Sequence, residues 1–391
     1  MPQPFTWNAP VTIAFGENRL ERIGRDVGKL AGENAHVMLV SDPLLARAGL
    51  VGRAEAALGG AGHRVTCYAE IRSDPLASSI DDIVALIRRE GATCVVALGG
   101  GSSMDAAKLA ATLARDGDAA ESYALGARAL PRNGLPKIAV PTTAGTGSEV
   151  TRTAVFSTPE HKLWAWGAEL LFDLALLDPT LTVGMPPHLT AATGLDASVH
   201  AIEAATNQRR NPISSALALG AVRSLRRWLA VAVAEPDNLE ARGEVLIAAT
   251  DAGMAFDVTG LGIAHAIGHA LGETAGVHHG RAVALALNAT MANGAQAAPD
   301  AYAQVAEALG VDTRGMAPHE AAAAAPAAYD AWLREVGLKL SLDDHGLGAG
   351  DASRIAALCA EPANKTIMDN DSFAYTSEAI EAAVARLLAA A

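Results

Sequence analysis

Hydrophobic and polar positions follow two different patterns along the 391 residues of this chain. In the first half, short apolar runs rich in β-branched residues alternate with helical segments. The helical segments predict one helix that ends at about residue 58, one over 79–90 and one that begins at Ser102. The runs predict β-strands at 35–40, 63–69, 93–100, 137–143 and 174–179. Strands that alternate with helices favour a parallel sheet covered by helices on both faces.

The pattern changes near residue 185. Long segments rich in Ala and Leu at helical spacing follow, without further strand signals. The Met-Pro-Pro at 185–187 suits a domain boundary, because consecutive prolines favour an extended chain followed by a new helix. We therefore predict an α/β domain over 1–184 and an all-helical domain over 185–391. The Ala-rich segment 320–330 is interpreted as packed helix with a break at Pro326.

Composition and charge narrow the class of protein. Hydrophobic residues make up 50% of the chain and charged residues 19%, as expected of a folded globular protein. The net charge of −13 argues against nucleic acids and anionic membranes as partners. We recognise no signal peptide and no apolar run long enough to span a membrane. The three scattered cysteines fit reduced thiols, so we expect a cytoplasmic protein.

A glycine-rich loop joins the predicted strand at 93–100 to the next helix. Glycines let backbone N–H groups approach a phosphate closely, and a helix N-terminus favours negative charge. Met104 occupies the place of the third glycine of the common dinucleotide fingerprint, so the match is incomplete. A tight turn without a ligand is the alternative interpretation. The candidate cofactor contacts are Gly99, Gly100, Gly101, Ser102 and Asp105.

A second loop, over 141–151, also follows a predicted strand and favours nucleotide binding. Its hydroxyls can donate to phosphate or ribose, and its glycines permit close approach. Asp42 follows the strand at 35–40, where a carboxylate would bind the ribose hydroxyls and repel a 2′-phosphate, which favours NAD over NADP. An ordinary turn before Pro43 is the alternative for Asp42. The candidate contacts in the second loop are Thr142, Thr143, Thr146, Gly147, Ser148 and Thr151.

Four residues of the second half have the spacing of a metal site. Asp196 and His200 are one helical turn apart and share a face, and they are followed by His265-x13-His279. A carboxylate and three imidazoles suit a divalent transition metal, either iron or zinc. A single histidine on an apolar helix is more often a core residue than a ligand, so the hypothesis depends on all four residues together.

Four segments together resemble the iron-containing (group III) alcohol dehydrogenases in order and spacing. They are GGGSSMDAAK at 99–108, PTTAGTGSEVT at 141–151, TGLDASVHAIEA at 193–204 and GLGIAHAIGHALGETAGVHHG at 260–280. The resemblance implies a Rossmann-like dinucleotide-binding domain followed by an all-helical metal-binding domain, as in dehydroquinate synthase. His278 stands where many relatives have proline and is a second candidate beside His279. The resemblance implies that the metal ligands are Asp196, His200, His265 and His279.

Further roles are implied by the same resemblance. His269 corresponds to a histidine near the nicotinamide, and we expect it to relay a proton to solvent. Lys162 corresponds to a lysine near the cofactor, although an exposed lysine after a turn would look the same. Thr153 and Phe256 are candidates for the substrate pocket, with an ordinary core aromatic as the alternative for Phe256.

The expected reaction is reversible oxidation of a primary alcohol, or a hydroxy acid, to its carbonyl compound with NAD. We expect Fe(II) as the functional metal, with Zn(II) as the alternative, and a homodimeric protein. Maleylacetate reductases share the architecture but lack the aspartate–histidine set, and glycerol dehydrogenases use three-ligand sites. The four candidate ligands therefore argue against both. A nucleotide sensor without activity would have lost at least one ligand, and none is lost here.

Overall fold

The computed structural model describes residues 4–159, 161–361 and 364–389, which divide into two compact units. One unit comprises Asn8–Thr143 and Gly147–Val183. The other comprises Ala144–Thr146, the described residues from Gly184 onwards, and those before Asn8. The first is an α/β unit and the second is helical, which confirms the predicted fold class.

The strands of the α/β unit are β1 (Thr12–Phe15), β2 (His36–Val40), β3 (Arg64–Tyr68), β4 (Cys94–Gly99), β5 (Lys137–Pro141), β6 (Thr153–Ser157), β7 (Lys162–Trp166) and β8 (Leu174–Leu177). The unit is built on a parallel six-stranded sheet of order β1-β8-β5-β4-β2-β3. Its helices are α1 (Ile23–Ala31), α2 (Pro43–Arg47), α3 (Leu50–Gly60), α4 (Ala77–Glu90) and α5 (Gly101–Leu113). An antiparallel pair, β6 and β7, lies outside the main sheet.

Side chains of the central strands alternate between two apolar layers. Val37 and Leu39 of β2 pack in a cluster that includes residues of α1 and α3. Met38 and Val40 pack in a second cluster that includes residues of α4 and α5. Both faces of β2, β4 and β5 are buried, which explains why their sequences are continuous apolar runs.

The sequence pattern does not predict β1, β6 or β7. Strand β1 is at the edge of the sheet, and its Ile13 and Phe15 are 40% and 48% exposed. Strand β6 alternates buried and half-buried residues over only five positions. Such short, partly exposed strands give a weaker pattern than the fully buried central strands.

The helical unit contains no strand among its described residues. One prediction in this region is wrong, because helix α12 (Pro318–Glu335) continues through Pro326. Proline lacks the N–H for one helical hydrogen bond, but Ala325, Tyr329 and Trp332 are buried on either side of it and hold the helix in place. The helices are α6 (Pro187–Thr206), α7 (Pro212–Ala234), α8 (Leu239–Thr259), α9 (Ile263–Ala275), α10 (His279–Ala297), α11 (Pro299–Ala308), α12 (Pro318–Glu335), α13 (Ala352–Cys359), α14 (Lys365–Asp369) and α15 (Ser377–Ala389).

Within the described part of the chain, no single helix is long and apolar enough to cross a membrane. The bent pair α8 and α9 reaches the necessary length and composition only when the two helices are taken together.

Candidate metal centre and nucleotide-binding loops

One face of α6 carries three buried polar side chains. Asp196, His200 and Glu203 follow one another at i, i+4 and i+7, which places them along the same side of the helix. Each is at most 4% exposed. Charged groups are rarely buried to this degree without partners, so this face of α6 requires specific neighbours.

Three imidazoles converge on the carboxylate of Asp196. The Nε2 atoms of His200, His265 and His279 lie 3.8, 4.0 and 3.6 Å from Asp196 Oδ1. Asp196, His265 and His279 each place one ligand atom within 4.8 Å of the others, whereas His200 is not part of that tight group. Asp196 Oδ1 is buried and accepts no hydrogen bond from the described residues. A cation bound by these residues would satisfy this oxygen, so the donor set fits a divalent transition metal.

His265 is oriented by Glu203, a residue that sequence reasoning did not single out. Glu203 Oε2 accepts from His265 Nδ1 at 2.6 Å, which leaves Nε2 as the nitrogen that faces Asp196. Burial raises the pKa of Glu203, but His265 and the N–H groups of Gly262 and Ala264 lower it, with a net pKa below the ordinary value. The signal was present, because Glu203 continues the i, i+4 series by a further three residues.

His200 is fixed on both ring faces. Its ring stacks on Phe256 at 4.4 Å and on His265 at 4.7 Å between centroids. Its Nδ1 donates to the carbonyl of Gly145 at 3.3 Å, so Nε2 keeps the lone pair. Burial lowers the pKa of His200 to about 4 against the opposing effect of Asp196. The ring is therefore neutral at pH 7, as a metal ligand must be.

The geometry distinguishes the histidines near the start of α10. His279 is the first residue of α10 and belongs to the tight group with Asp196. His278 precedes the helix and is exposed. His269 lies beside the group: its ring stacks on His279 at 5.6 Å, and its Nδ1 is 3.3 Å from Asn364 Oδ1. This placement supports His279 as the ligand and His269 as a neighbour of the site.

The two glycine loops begin side by side at the ends of neighbouring strands. They follow β4 and β5, which pair in parallel with Gly99 opposite Pro141. Gly99 has a φ of 157°, and a Cβ there would lie 2.5 Å from Ser103 Oγ, so the close turn requires glycine. A Cβ at Gly100 would lie 3.1 Å from Thr143 Oγ1. The turn between β4 and α5 thus offers backbone N–H groups at a helix N-terminus.

Residues of the two loops differ in their access to a ligand. Half-buried positions can meet a bound cofactor directly, whereas the buried ones face the protein. The half-buried candidates are Gly100, Gly101, Ser102, Asp105, Thr143 and Thr146, and the buried ones are Gly99, Thr142, Gly147, Ser148 and Thr151. Asp105 accepts from Ser148 Oγ at 2.6 Å and from the Val155 N–H at 3.0 Å, so its carboxylate links the two loops.

Lys108 is a second functional candidate that sequence reasoning missed. It stands in the GGGSSMDAAK segment, one turn after Asp105, and is fully buried. Its Nζ lies 2.9 and 3.0 Å from the side-chain and main-chain oxygens of Ser148. It also lies 3.2 and 3.3 Å from the corresponding oxygens of Thr151, and 3.2 Å from Asp105. One ammonium group therefore holds the second loop against α5.

Asp42 caps a helix and also lies beside the first glycine loop. Its Oδ1 accepts from the N–H groups of Leu44 and Leu45 at 2.8 and 3.0 Å, so it caps α2. Its Oδ2 lies 3.6 Å from the position of a Cβ at Gly99, next to the first glycine loop. One carboxylate oxygen thus caps the helix while the other faces the loop.

The remaining candidates are separated along the chain. Lys162 is exposed on β7, and its Nζ pairs with Asp74 at 2.7 Å. Thr153 is half-buried at the start of β6. Phe256 packs on the ring of His200, so it is part of the wall of the candidate metal centre.

Comparisons with known proteins cover nearly the whole chain. The family model described as iron-containing alcohol dehydrogenase matches residues 10–179, and the one for the C-terminal part of that family matches 190–388. The chain is 35% identical to long-chain-alcohol dehydrogenase 1 of Geobacillus thermodenitrificans over 86% of both chains. A crystal structure of 1,3-propanediol oxidoreductase aligns with a TM-score of 0.91 at 32% identity, over 98% of this chain and all of the other. Sulfoacetaldehyde reductase from Bifidobacterium kashiwanohense in complex with NAD+ aligns with a TM-score of 0.86 at 28% identity over 100% of both.

Proposed function

The chain belongs to the iron-containing alcohol dehydrogenase family of oxidoreductases, and we propose that it reversibly oxidises a primary alcohol to the aldehyde with NAD. The observation that carries the proposal is the convergence of three imidazoles on the buried Asp196 Oδ1. Relatives named for a long-chain alcohol and for 1,3-propanediol support a primary alcohol as the substrate class. A hydroxy acid is the alternative substrate.

The metal is proposed to be held by Asp196, His200, His265 and His279. A divalent iron in this position would act as a Lewis acid that stabilises negative charge on the substrate oxygen. Two of the imidazoles present Nε2 from fixed positions, because Glu203 holds His265 and Gly145 holds His200. Phe256 closes one side of His200 and keeps water from that ring.

His269 is the proposed proton relay. His269 Nδ1 can donate to Asn364 Oδ1, and in that tautomer Nε2 is the nitrogen that would accept the proton of the alcohol. The ring is half-buried, which gives the proton a route to solvent. NAD is proposed to be held by the loops at 99–105 and 141–151, with Asp42 at the ribose. The NAD complex of the sulfoacetaldehyde reductase supports this choice of cofactor.

Metal removal and reconstitution test the proposal. Protein purified without oxygen and treated with a chelator should lose alcohol-dependent reduction of NAD. Addition of Fe(II) should restore it more fully than Zn(II), even though zinc binds nitrogen ligands more tightly in the usual affinity order. Full activity of a metal-free sample would overturn the mechanism, and higher turnover with zinc would overturn the choice of iron. A panel of alcohols, diols, hydroxy acids and 2-oxo acids would identify the substrate.

A further inference from the structure

The turn between α8 and α9 determines where α9 begins. The two helices are bent by 105° across the turn at 260–262. His265 lies in the first turn of α9, so its position follows that of the helix start. The first N–H groups of a helix and the last carbonyls of the preceding one have no partners within the helices, and buried ones require them from elsewhere.

Glu203 in α6 and Asn207 just after that helix supply some of these hydrogen-bond partners. Glu203 accepts from the N–H groups of Gly262 and Ala264 at 2.8 and 2.9 Å. Asn207 donates its side-chain amide to the carbonyl of Gly260 at 3.0 Å. These contacts tie the turn to the helix that carries Asp196 and His200.

The remaining partners come from a segment more than a hundred residues later in the chain. Asn370 donates its side-chain amide to the carbonyls of Thr259 and Leu261 at 2.8 and 2.9 Å, and it is 4% exposed. Asp371 Oδ2 accepts from the N–H of Ile263, the first residue of α9, at 3.0 Å. Side-chain groups of Asn370 and Asp371 therefore bind the turn on both sides of the helix junction.

The turn and this segment fit together closely. A Cβ at Gly262 would lie 2.7 Å from Asp371 Oδ2 and 3.0 Å from Glu203 Oε1, so only glycine allows both carboxylates to approach. The segment itself is anchored, because Gln208 hydrogen-bonds the main-chain carbonyls of Asn370 and Asp371 at 3.0 and 2.7 Å. Two carboxylates at a helix N-terminus also interact favourably with its dipole.

We propose that Asn370 and Asp371 are positioning residues of the metal centre, which act on His265 through the turn at 260–262. This inference rests on the proposed function, since it takes His265 as a metal ligand. The side chains of Asn370 and Asp371 hydrogen-bond the turn and their own segment, so their effect on metal binding passes through the backbone. Without them, the first turn of α9 would no longer be held in one place, and His265 Nε2 would be displaced from Asp196.

Metal affinity provides the test. We would load the metal-free full-length protein with Zn(II) in competition with a chromophoric chelator, and record the visible spectrum with Co(II) as a report of ligand geometry. Asp371→Ala should weaken metal binding about tenfold, within the range known for groups that orient metal ligands. Asn370→Asp, which turns a donor into an acceptor facing two carbonyls, should weaken it more and alter the Co(II) spectrum. Asp371→Asn retains one acceptor oxygen for the N–H of Ile263 but loses the oxygen that accepts from Phe373, so it should recover most of the affinity lost in Asp371→Ala.

A neighbouring variant controls for charge and for general destabilisation. Asp369 is exposed, and its side chain pairs with Lys365 rather than with the turn, so Asp369→Ala should leave metal affinity unchanged. Equal affinity of Asp371→Ala and the unmodified protein would overturn the inference, and so would an equal loss in Asp369→Ala. Asn370→Asp decides the same question should Asp371→Ala not fold, since unchanged affinity in that variant would also overturn the inference. If the unmodified protein bound metal no better than His265→Ala, the proposed metal site itself would be wrong.

Discussion

The candidate metal centre and the candidate nucleotide loops are constructed in opposite ways. The metal centre is made of side chains from α6, α9 and α10, and three of its four proposed ligands are nearly fully buried. The nucleotide loops offer mainly glycine backbone and hydroxyl groups at strand ends, held together by the ammonium of Lys108 and the carboxylate of Asp105. A site made of a few converging side chains loses its function when one of them is lost. A loop that binds through many backbone groups should lose only part of its affinity when one side chain is replaced.

Replacement of His265 by Ala is the strongest test of this contrast. It removes one proposed ligand, which is also the group that Glu203 orients, so metal occupancy and activity should fall together. Loss of Lewis-acid stabilisation worth several kcal/mol corresponds to about a thousandfold in rate or more. Metal analysis and steady-state kinetics on the same sample measure both. His188→Ala, at an exposed position of the same unit, should change neither.

His269→Ala should separate proton transfer from metal binding. His269 lies beside the metal group but outside it, so the variant should keep its metal and lose about a hundredfold in kcat. Added imidazole should restore part of the rate, because it can replace the missing base. Loss of metal to the degree seen in His265→Ala would contradict the assignment of His269 as a neighbour rather than a ligand.

Lys108→Met tests the other side of the comparison. The variant leaves Asp105 and the oxygens of Ser148 and Thr151 without their buried cation, which should cost about 3 kcal/mol of folding stability. The second loop should loosen and raise the KM for NAD about tenfold, while metal content stays constant. Denaturant unfolding and NAD titration measure these effects. Lys29→Met, at an exposed position, is the matched control. An equal KM for NAD in both variants would show that Lys108 does not support cofactor binding.

Sequence reasoning succeeded where the signal is local and failed where it is not. The shared face of Asp196 and His200, and the glycines between β4 and α5, follow from helical period and strand-to-helix order. The partners of Glu203 lie 59 to 62 residues away, and the partners of Lys108 in the second loop lie 40 to 43 residues away, so only the folded chain reveals what these residues hold. The wrong prediction at Pro326 has the same cause: α12 continues through the proline because packing overrides the local preference of proline to break a helix.

Two substitutions at Asp42 should separate its capping role from its charge. Asp42→Asn keeps an oxygen that can cap α2 but removes the negative charge near Gly99. The preference for NAD over NADP, as a ratio of kcat/KM values, should fall about tenfold. Asp42→Gly should shift the ratio equally and cost a further few tenths of a kcal/mol in stability. An unchanged ratio in both variants would place cofactor selection elsewhere in the α/β unit.

The smallest expected effect concerns a carboxylate of the helical unit that lacks, in the part of the chain that the structure describes, hydrogen-bond donors like those of Glu203. Asp251, on α8, accepts no hydrogen bond from the described residues and is half-buried, and burial raises its pKa from 3.8 to about 6. A raised pKa means that the folded state prefers the protonated form. Its contribution to stability is therefore complete below pH 4 and is lost as the pH rises through about 6.

Asp251→Asn has no such titration, so the variant should be more stable than the unmodified protein at pH 7 and should lose that advantage at pH 4. Solvent screening of a partly exposed group limits the difference to about 1 kcal/mol. Unfolding free energies at the two pH values measure it, and equal differences at both would show that Asp251 titrates normally. Glu203 has a lowered pKa despite deeper burial. If Asp251 titrated normally, the N–H donors of Glu203 would not explain the difference between the two carboxylates.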